Sequence, residues 1–78
     1  MEDFIYFNIM KENNVGYNLK QIRLASGLSQ EKFGSKIGVS GSCIQHWEAN
    51  YTEPDIDAMR KIKEVFGVSY DEIIDGNL

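Results

Sequence analysis

The residues best suited to chemistry lie between positions 40 and 52, where polar and apolar side chains are interleaved. Ser42, Gln45 and His46 would share one face of a helix, because residues three and four apart lie on the same side. A hydroxyl, a primary amide and an imidazole offer both hydrogen-bond donors and acceptors. This uncharged polar face suits recognition of a hydrogen-bonding partner, whereas on an isolated helix the same pattern is typical of a solvated surface.

A catalytic or metal-binding role for this stretch has little support. Cys43 and His46 lie three residues apart, which suggests a thiol nucleophile or half of a metal site. The chain contains one cysteine and one histidine, so no second residue of either type completes a ligand set. The sequence also has no phosphate-binding glycine loop. We therefore expect no enzyme activity, no metal, no cofactor and no small-molecule ligand.

Five short amphipathic helices are predicted to position the polar face. They cover about residues 15–26, 30–37, 41–49, 56–66 and 70–74. Each follows a residue able to cap its first turn, namely Asn14, Ser29, Ser40, Asp55 and Ser69. The fourth helix carries on its predicted buried side Ile56, Met59, Ile62 and Phe66. The expected fold class is all-α, with one domain over residues 14–78 and an apolar N-terminal extension over residues 1–13 whose conformation stays open.

The join between the second and third helices is the most informative local feature. Only Gly38-Val39-Ser40 separates them, which forces a sharp turn. Gly38 can adopt the left-handed conformation that ends a helix, and Ser40 can cap the next one. Gly34 has no side chain to hold the helices apart, although a glycine inside a helix costs about 1 kcal/mol relative to alanine. The sequence therefore predicts a helix-turn-helix over about residues 29–49, with the polar face exposed on its second helix.

Length and cysteine content set further bounds. Seventy-eight residues suffice for one small domain, and no apolar run approaches the ~20 residues that span a bilayer. The single Cys43 cannot form an internal disulfide, and the first ten residues lack the basic start and cleavage site of a signal peptide. We expect a cytoplasmic protein without membrane contact.

The charge distribution bears on nucleic-acid binding. Twelve acidic against eight basic residues argue against it at first sight, because Lys and Arg supply most phosphate affinity. Residues 19–48, however, carry four basic and two acidic residues, a net +2, while residues 1–18 sum to −2 and residues 49–78 to −4. The distribution favours an oriented molecule whose acidic ends face away from phosphate, with low non-specific affinity and a shallow salt dependence.

A set of spaced signals extends over most of the chain: Leu28-Ser29-Gln30-Glu31-Lys32-Phe33-Gly34, Ile37-Gly38-Val39-Ser40, Ile44, Trp47 and Glu48, Pro54, and Phe66-Gly67-Val68-Ser69. Together they resemble the helix-turn-helix domain of the Xre family, the Cro and lambda-repressor type of bacterial and phage regulators. The resemblance implies a five-helix lambda-repressor-like DNA-binding domain. It further implies a transcription regulator, a repressor, that places helix 41–49 in the major groove of double-stranded DNA as a homodimer.

The resemblance also implies roles for individual residues. The expected base contacts are Gln30, Ser42, Gln45 and His46. The expected DNA backbone contacts are Ser29, Gln30, Ser40, Asn50, Tyr51 and Thr52. Arg23 and Glu48 match a pair that forms a salt bridge between the first and third helices, which we expect to lock the scaffold. Relatives often carry Arg, Lys or Gln where Gly41 stands, so one base contact is missing here.

The alternative is a protein-interaction module, such as an antitoxin or a phage accessory factor with weakened DNA contacts. Gly41 and the acidic flanks favour it.

Apolar ends of the chain are the expected surfaces of a homodimer. They are Ile73, Ile74 and Leu78, or the aromatic residues Phe4, Tyr6 and Phe7.

Overall fold

Five α-helices make up the architecture. The computed structural model describes residues 14–76, and within this range the helices follow one another with no β-strand between them. They are α1 (Val15–Ala25), α2 (Gln30–Ile37), α3 (Gly41–Glu48), α4 (Ile56–Phe66) and α5 (Tyr70–Ile74). The predicted all-α fold class with five helices is confirmed for these residues.

Capping determines where the helices begin and end. Each predicted cap side chain accepts a hydrogen bond from a backbone N–H in the first turn, at 2.8–3.1 Å, and such a cap stabilises a helix by about 1 kcal/mol. Gly38 and Gly67 end α2 and α4 in the left-handed conformation, with φ of 79° and 67°. Ser26 and Ala49, predicted as the last helical residues, are the caps that follow α1 and α3.

Every helix contributes to one apolar core. The buried apolar side chains are Leu19, Ile22, Phe33, Ile37, Ile44, Trp47, Ile62 and Ile73. The ring of Phe66 stacks on that of Phe33, with centroids 4.2 Å apart. Asn18 Nδ2 donates to the carbonyl oxygen of Ile73 at 2.9 Å in a buried position, which ties α5 to α1. Each fully buried large apolar side chain stabilises the fold by roughly 1.5–3 kcal/mol, so the inner faces of α2 and α3 are held firmly.

Two apolar residues differ from expectation. Ile56 was predicted on the buried side of α4, but it is 71% exposed because it is the first residue of the helix and extends past the core. Ile73 is fully buried, so it cannot serve as the dimer contact that its position near the chain end suggested. Ile74 is 44% exposed. The N-terminal extension 1–13, with its aromatic residues, and Leu78 lie outside the described residues.

Candidate nucleic-acid interface

The turn between α2 and α3 is built from backbone contacts. The N–H of Val39 donates to the carbonyl of Gly34 at 2.9 Å, and the left-handed Gly38 donates to the same oxygen. Val39 is half-buried and packs against the core. Ser40 then caps α3 by accepting from the N–H of Cys43 at 3.1 Å. The chain therefore reverses within three residues and directs the start of α3 outward.

Gly34 permits the close approach of α3. A Cβ at this position would lie 2.5 Å from the carbonyl oxygen of Val39 and 2.9 Å from that of Ser40. Real side chains do not come that near to backbone oxygen, so any larger residue would push α2 and α3 apart. The close contact predicted at Gly34 is confirmed.

Two further glycines make close contacts that the sequence did not reveal. A Cβ on Gly16 would lie 2.3 Å from the carbonyl oxygen of Trp47, so α1 packs directly on the end of α3. A Cβ on Gly41 would lie 3.0 Å from the Cα of Glu31. Gly41 therefore has a packing role besides the absent base contact. Gly16 and Gly41 each lie in the first turn of a predicted helix, although glycine has a low helix propensity. That placement was the available sequence signal for the two close contacts.

An ion pair fixes α3 to α1. Arg23 Nε donates to Glu48 Oε2 at 2.6 Å and a terminal guanidinium nitrogen donates to Glu48 Oε1 at 3.1 Å, with both side chains nearly buried, 11% and 6% exposed. The hydrogen bond to Glu48 raises the pKa of Arg23; burial opposes this, and the charge of Glu48 adds to the rise. The guanidinium also donates to the carbonyl of Leu28 at 3.0 Å. The pair holds both partners in a defined geometry.

Gln30 joins the same network. Its Nε2 donates to Glu48 Oε1 at 3.1 Å, so the first residue of α2 braces the last residue of α3. Ser29 and Ser40, the caps of α2 and α3, each use the hydroxyl oxygen as an acceptor within the helix. A hydroxyl that accepts in this way still has its own O–H to donate. These three residues lie at the starts of α2 and α3.

The outward face of α3 is polar and uncharged. Ser42, Gln45 and His46 are exposed, while Ile44 and Trp47 on the opposite side are buried. The face is thus displayed on a helix whose inner side is anchored in the core. Its hydrogen-bonding groups are available to a ligand that fits against a helix.

The residues after α3 fold back on it. Asn50 has φ of 64°, the left-handed region, and the N–H of Tyr51 donates to the carbonyl of His46 at 2.9 Å. Tyr51 is 77% exposed, and Thr52 is exposed beside it. The side-chain oxygen of Asn50 lies 2.7 Å from where a Cβ on Gly16 would be. Asn50 therefore contacts α1, whereas Tyr51 and Thr52 present their side chains to solvent.

Cys43 lies half-buried on the inner edge of α3. Burial raises the pKa of its thiol, and the charge of Asp55 raises it further, so less of it is the reactive thiolate than in a free cysteine. Among residues 14–76, no three His, Cys, Asp or Glu side chains gather as a metal site. No helix in the same range is long and apolar enough to cross a membrane.

Comparison with solved structures supports the architecture. The crystal structure of the P22 c2 repressor protein in complex with a synthetic operator superposes with a TM-score of 0.75 at 25% sequence identity. The match covers 81% of this chain and 96% of the repressor chain. The chain thus shares the fold of a repressor whose structure was solved on operator DNA.

Several curated transcription regulators are similar in sequence. The HTH-type transcriptional activator BcrR of Enterococcus faecalis is 31% identical over 74% of this chain, and two regulators of Bacillus subtilis (strain 168), ImmR and the prophage-derived YonR, are 26% and 30% identical over 78%. The matched region spans 28%, 48% and 56% of these relatives, so the chain covers about half of their length or less. Residues 19–73 match the family described as Helix-turn-helix. The chain belongs to this helix-turn-helix family, of the Xre type.

Proposed function

We propose that the chain is a sequence-specific DNA-binding transcription regulator that places α3 in the major groove. The observation that carries this proposal is the exposed, uncharged face of Ser42, Gln45 and His46 on a helix fixed from behind. A major groove about 12 Å wide admits one α-helix and displays hydrogen-bonding groups that differ between base pairs. The names of the three relatives and the operator-bound P22 c2 repressor support the same function.

The three exposed side chains suit different base edges. Gln45 can pair with adenine through both ends of its amide, and His46 can donate to the acceptors of guanine. The Ser42 hydroxyl can meet several edges. Gln30, whose Nε2 donates to Glu48 at the end of α3, would both brace α3 and approach the DNA.

Phosphate contacts would frame the base contacts. The hydroxyls of Ser29 and Ser40, together with Tyr51 and Thr52 after α3, are neutral donors suited to phosphate oxygen. Asn50 would contribute through its side-chain amide N–H, since its side-chain oxygen faces α1 and its backbone N–H already donates to Trp47. Because this set contains no lysine or arginine, affinity should depend only weakly on salt. A plot of the logarithm of affinity against the logarithm of salt concentration should have a slope smaller in magnitude than about 3 per protomer.

The finer parts of the proposal are dimeric binding and repression. Two copies on a two-fold symmetric site would present two α3 helices to successive major grooves. Ile56, Tyr70 and Ile74 are exposed at the edge of α4 and α5 and offer an apolar contact for a second copy. Sedimentation at high concentration, alone and with duplex, tests this: a monomer under both conditions removes the dimer.

A selection from random duplexes tests the proposed function. We expect one sequence to be enriched, and Gln45→Ala to lose preference at one base pair by roughly 1–3 kcal/mol. Glu64→Gln, on the exposed side of α4, is the control and should keep the wild-type preference. Failure to enrich any sequence, with weak binding even at low salt, contradicts the proposal.

A protein-interaction module is the second candidate, and the exposed apolar edge of α4 and α5 favours it. In that case a partner protein would cover Ile56 and Ile74. Light scattering with and without the selected duplex separates the two functions. A tight protein complex that excludes DNA supports the module, while a defined protein–duplex complex supports the regulator.

A further inference from the structure

The C-terminal end of α3 adopts a defined capping motif. The N–H of Asn50 donates to the carbonyl of Trp47 at 3.1 Å, and the N–H of Tyr51 donates to the carbonyl of His46 at 2.9 Å. With Asn50 in the left-handed conformation at φ of 64°, these two bonds are the Schellman arrangement that closes a helix. In this motif the second residue after the cap, here Tyr51, contacts the third residue from the end of the helix, here His46. Tyr51 is thereby brought back onto His46.

The two rings are in contact. The centroids of the His46 and Tyr51 rings are 5.8 Å apart and their planes are inclined at 59°, a tilted geometry that aromatic pairs favour. Both residues are exposed. No described residue forms a hydrogen bond with the His46 side chain, and the Tyr51 ring is its aromatic neighbour.

An exposed imidazole on a helix ordinarily samples several rotamers, and binding must select one of them. Hydrogen bonding to a base edge requires the ring to lie in a narrow range of orientations. A neighbour that already restricts the ring lowers the entropic cost of recognition. The geometry at the end of α3 provides such a neighbour.

We propose that Tyr51 is a positioning residue for His46: its ring restricts the imidazole and thereby sets the strength of preference at the base pair that His46 reads. This inference rests on the proposed DNA-binding function and adds a specificity determinant outside α3. It is separate from any contact of the Tyr51 hydroxyl with phosphate, because a phosphate contact acts equally on every DNA sequence.

Tyr51→Ala and Tyr51→Phe separate the ring from the hydroxyl. Binding is measured on the selected duplex and on a duplex altered at the base pair whose preference His46→Ala removes. We expect Tyr51→Ala to reduce discrimination at that base pair by about three- to tenfold and leave the other positions unchanged. Tyr51→Phe should keep that discrimination within about twofold, even where its affinity falls on both duplexes. In His46→Ala, adding Tyr51→Ala should change discrimination no further.

A readout without DNA accompanies the binding measurements. Side-chain couplings in NMR give the rotamer populations of His46. One rotamer should dominate in the wild type and in Tyr51→Phe, whereas Tyr51→Ala should show averaging among rotamers. The variants remain comparable because Tyr51 is 77% exposed and lies outside the core.

The outcomes separate this proposal from the function on which it rests. Full discrimination in Tyr51→Ala, or an averaged His46 ring in the wild type, overturns the positioning role while leaving sequence-specific binding intact. Equal losses on both duplexes in Tyr51→Ala and Tyr51→Phe assign Tyr51 to phosphate alone and also overturn it. A wild-type chain that prefers no duplex removes the proposed function, and the role in base preference with it.

Discussion

The helix-turn-helix and the α4–α5 pair are built on different principles. In the first region, α3 is held by backbone contacts at Gly34 and by the ion pair of Arg23 with Glu48, whose side chains are 11% and 6% exposed. The ion pair within α4 joins Arg60 and Asp57 at 3.0 Å, but these side chains are 55% and 80% exposed. The first region is thus constrained in position, while α4 displays its charges to water.

The outer surfaces of the two regions also differ, in the kind of side chain that they expose. The α3 face is polar and uncharged, whereas α4 and α5 expose Ile56, Tyr70 and Ile74 beside charged residues. A surface that recognises bases needs side chains at fixed distances, since hydrogen bonds are directional. A surface that makes apolar or electrostatic contacts tolerates more movement. Substitutions that remove the contacts holding α3 should therefore disturb its geometry, and those on the exposed face of α4 should disturb little.

The largest expected difference is between the two ion pairs. Glu48→Ala leaves the Arg23 guanidinium nearly buried without its carboxylate and should lower the free energy of unfolding by about 3 kcal/mol. Arg60→Ala removes the exposed pair and should cost less than about 1 kcal/mol. Urea denaturation of both variants measures the contrast. Equal losses would show that the two regions are not constrained differently.

The next largest effect concerns the α2–α3 contact. Gly34→Ala gains helix propensity but places a methyl group where only 2.5 Å separates it from the Val39 oxygen. We expect a net loss of about 1–3 kcal/mol. Ser35→Ala, the next residue and exposed, is the matched control and should be neutral or slightly stabilising. A Gly34→Ala variant as stable as the control would mean that α2 and α3 need not approach closely.

A smaller effect is expected where α3 ends. Asn50 is the only residue other than glycine with a positive φ among residues 14–76, at 64°. A β-branched side chain is disfavoured there, so Asn50→Val should cost about 1–2 kcal/mol. Glycine adopts the same conformation readily, so the free energy of unfolding of Asn50→Gly should stay within about 0.5 kcal/mol of the wild-type value. Thermal unfolding measures both, and identical stabilities would contradict the capping role.

The smallest expected effect is on the reactivity of Cys43, which lies where the two regions meet. Burial raises the pKa of the thiol, and Asp55 raises it further, so at pH 8 less thiolate is present than for a free thiol and alkylation by iodoacetamide should be slower. Asp55→Asn keeps the cap of α4 and removes the charge, so it should lower the pKa only partly. The pH dependence of the alkylation rate measures this. A reaction as fast as that of glutathione would contradict the buried setting.

Features governed by neighbouring residues in the chain were predictable. The capping residues, the left-handed Gly38 and the separation of Ile44 and Trp47 from the outer face all follow from local rules of helix geometry. The close contact at Gly34 was predictable as well, because the three-residue turn leaves α2 and α3 few relative placements.

Features set by distant packing were missed. Gly16 faces the end of α3 only because the tertiary fold brings Trp47 there, and its sequence neighbours carry no sign of this. The exposure of Ile56 and the burial of Ile73 were also misjudged, since helical periodicity does not tell how far the core extends along α4 and α5. The Schellman motif at Asn50 is a local feature, because asparagine can adopt the left-handed conformation that ends a helix. The Asn50-Tyr51 pair was therefore a sequence signal for the contact of Tyr51 with His46.

A titration with DNA can map, residue by residue, the surface that we propose binds the duplex. The 15N-labelled chain is titrated with the selected duplex, and amide shifts are followed by NMR. We predict the largest changes at the start of α2, along α3 and at Tyr51 and Thr52, with the exposed edge of α4 and α5 changing little except where a second copy binds. Changes confined to α4 and α5, with α3 unaffected, would contradict the placement of α3 in the major groove.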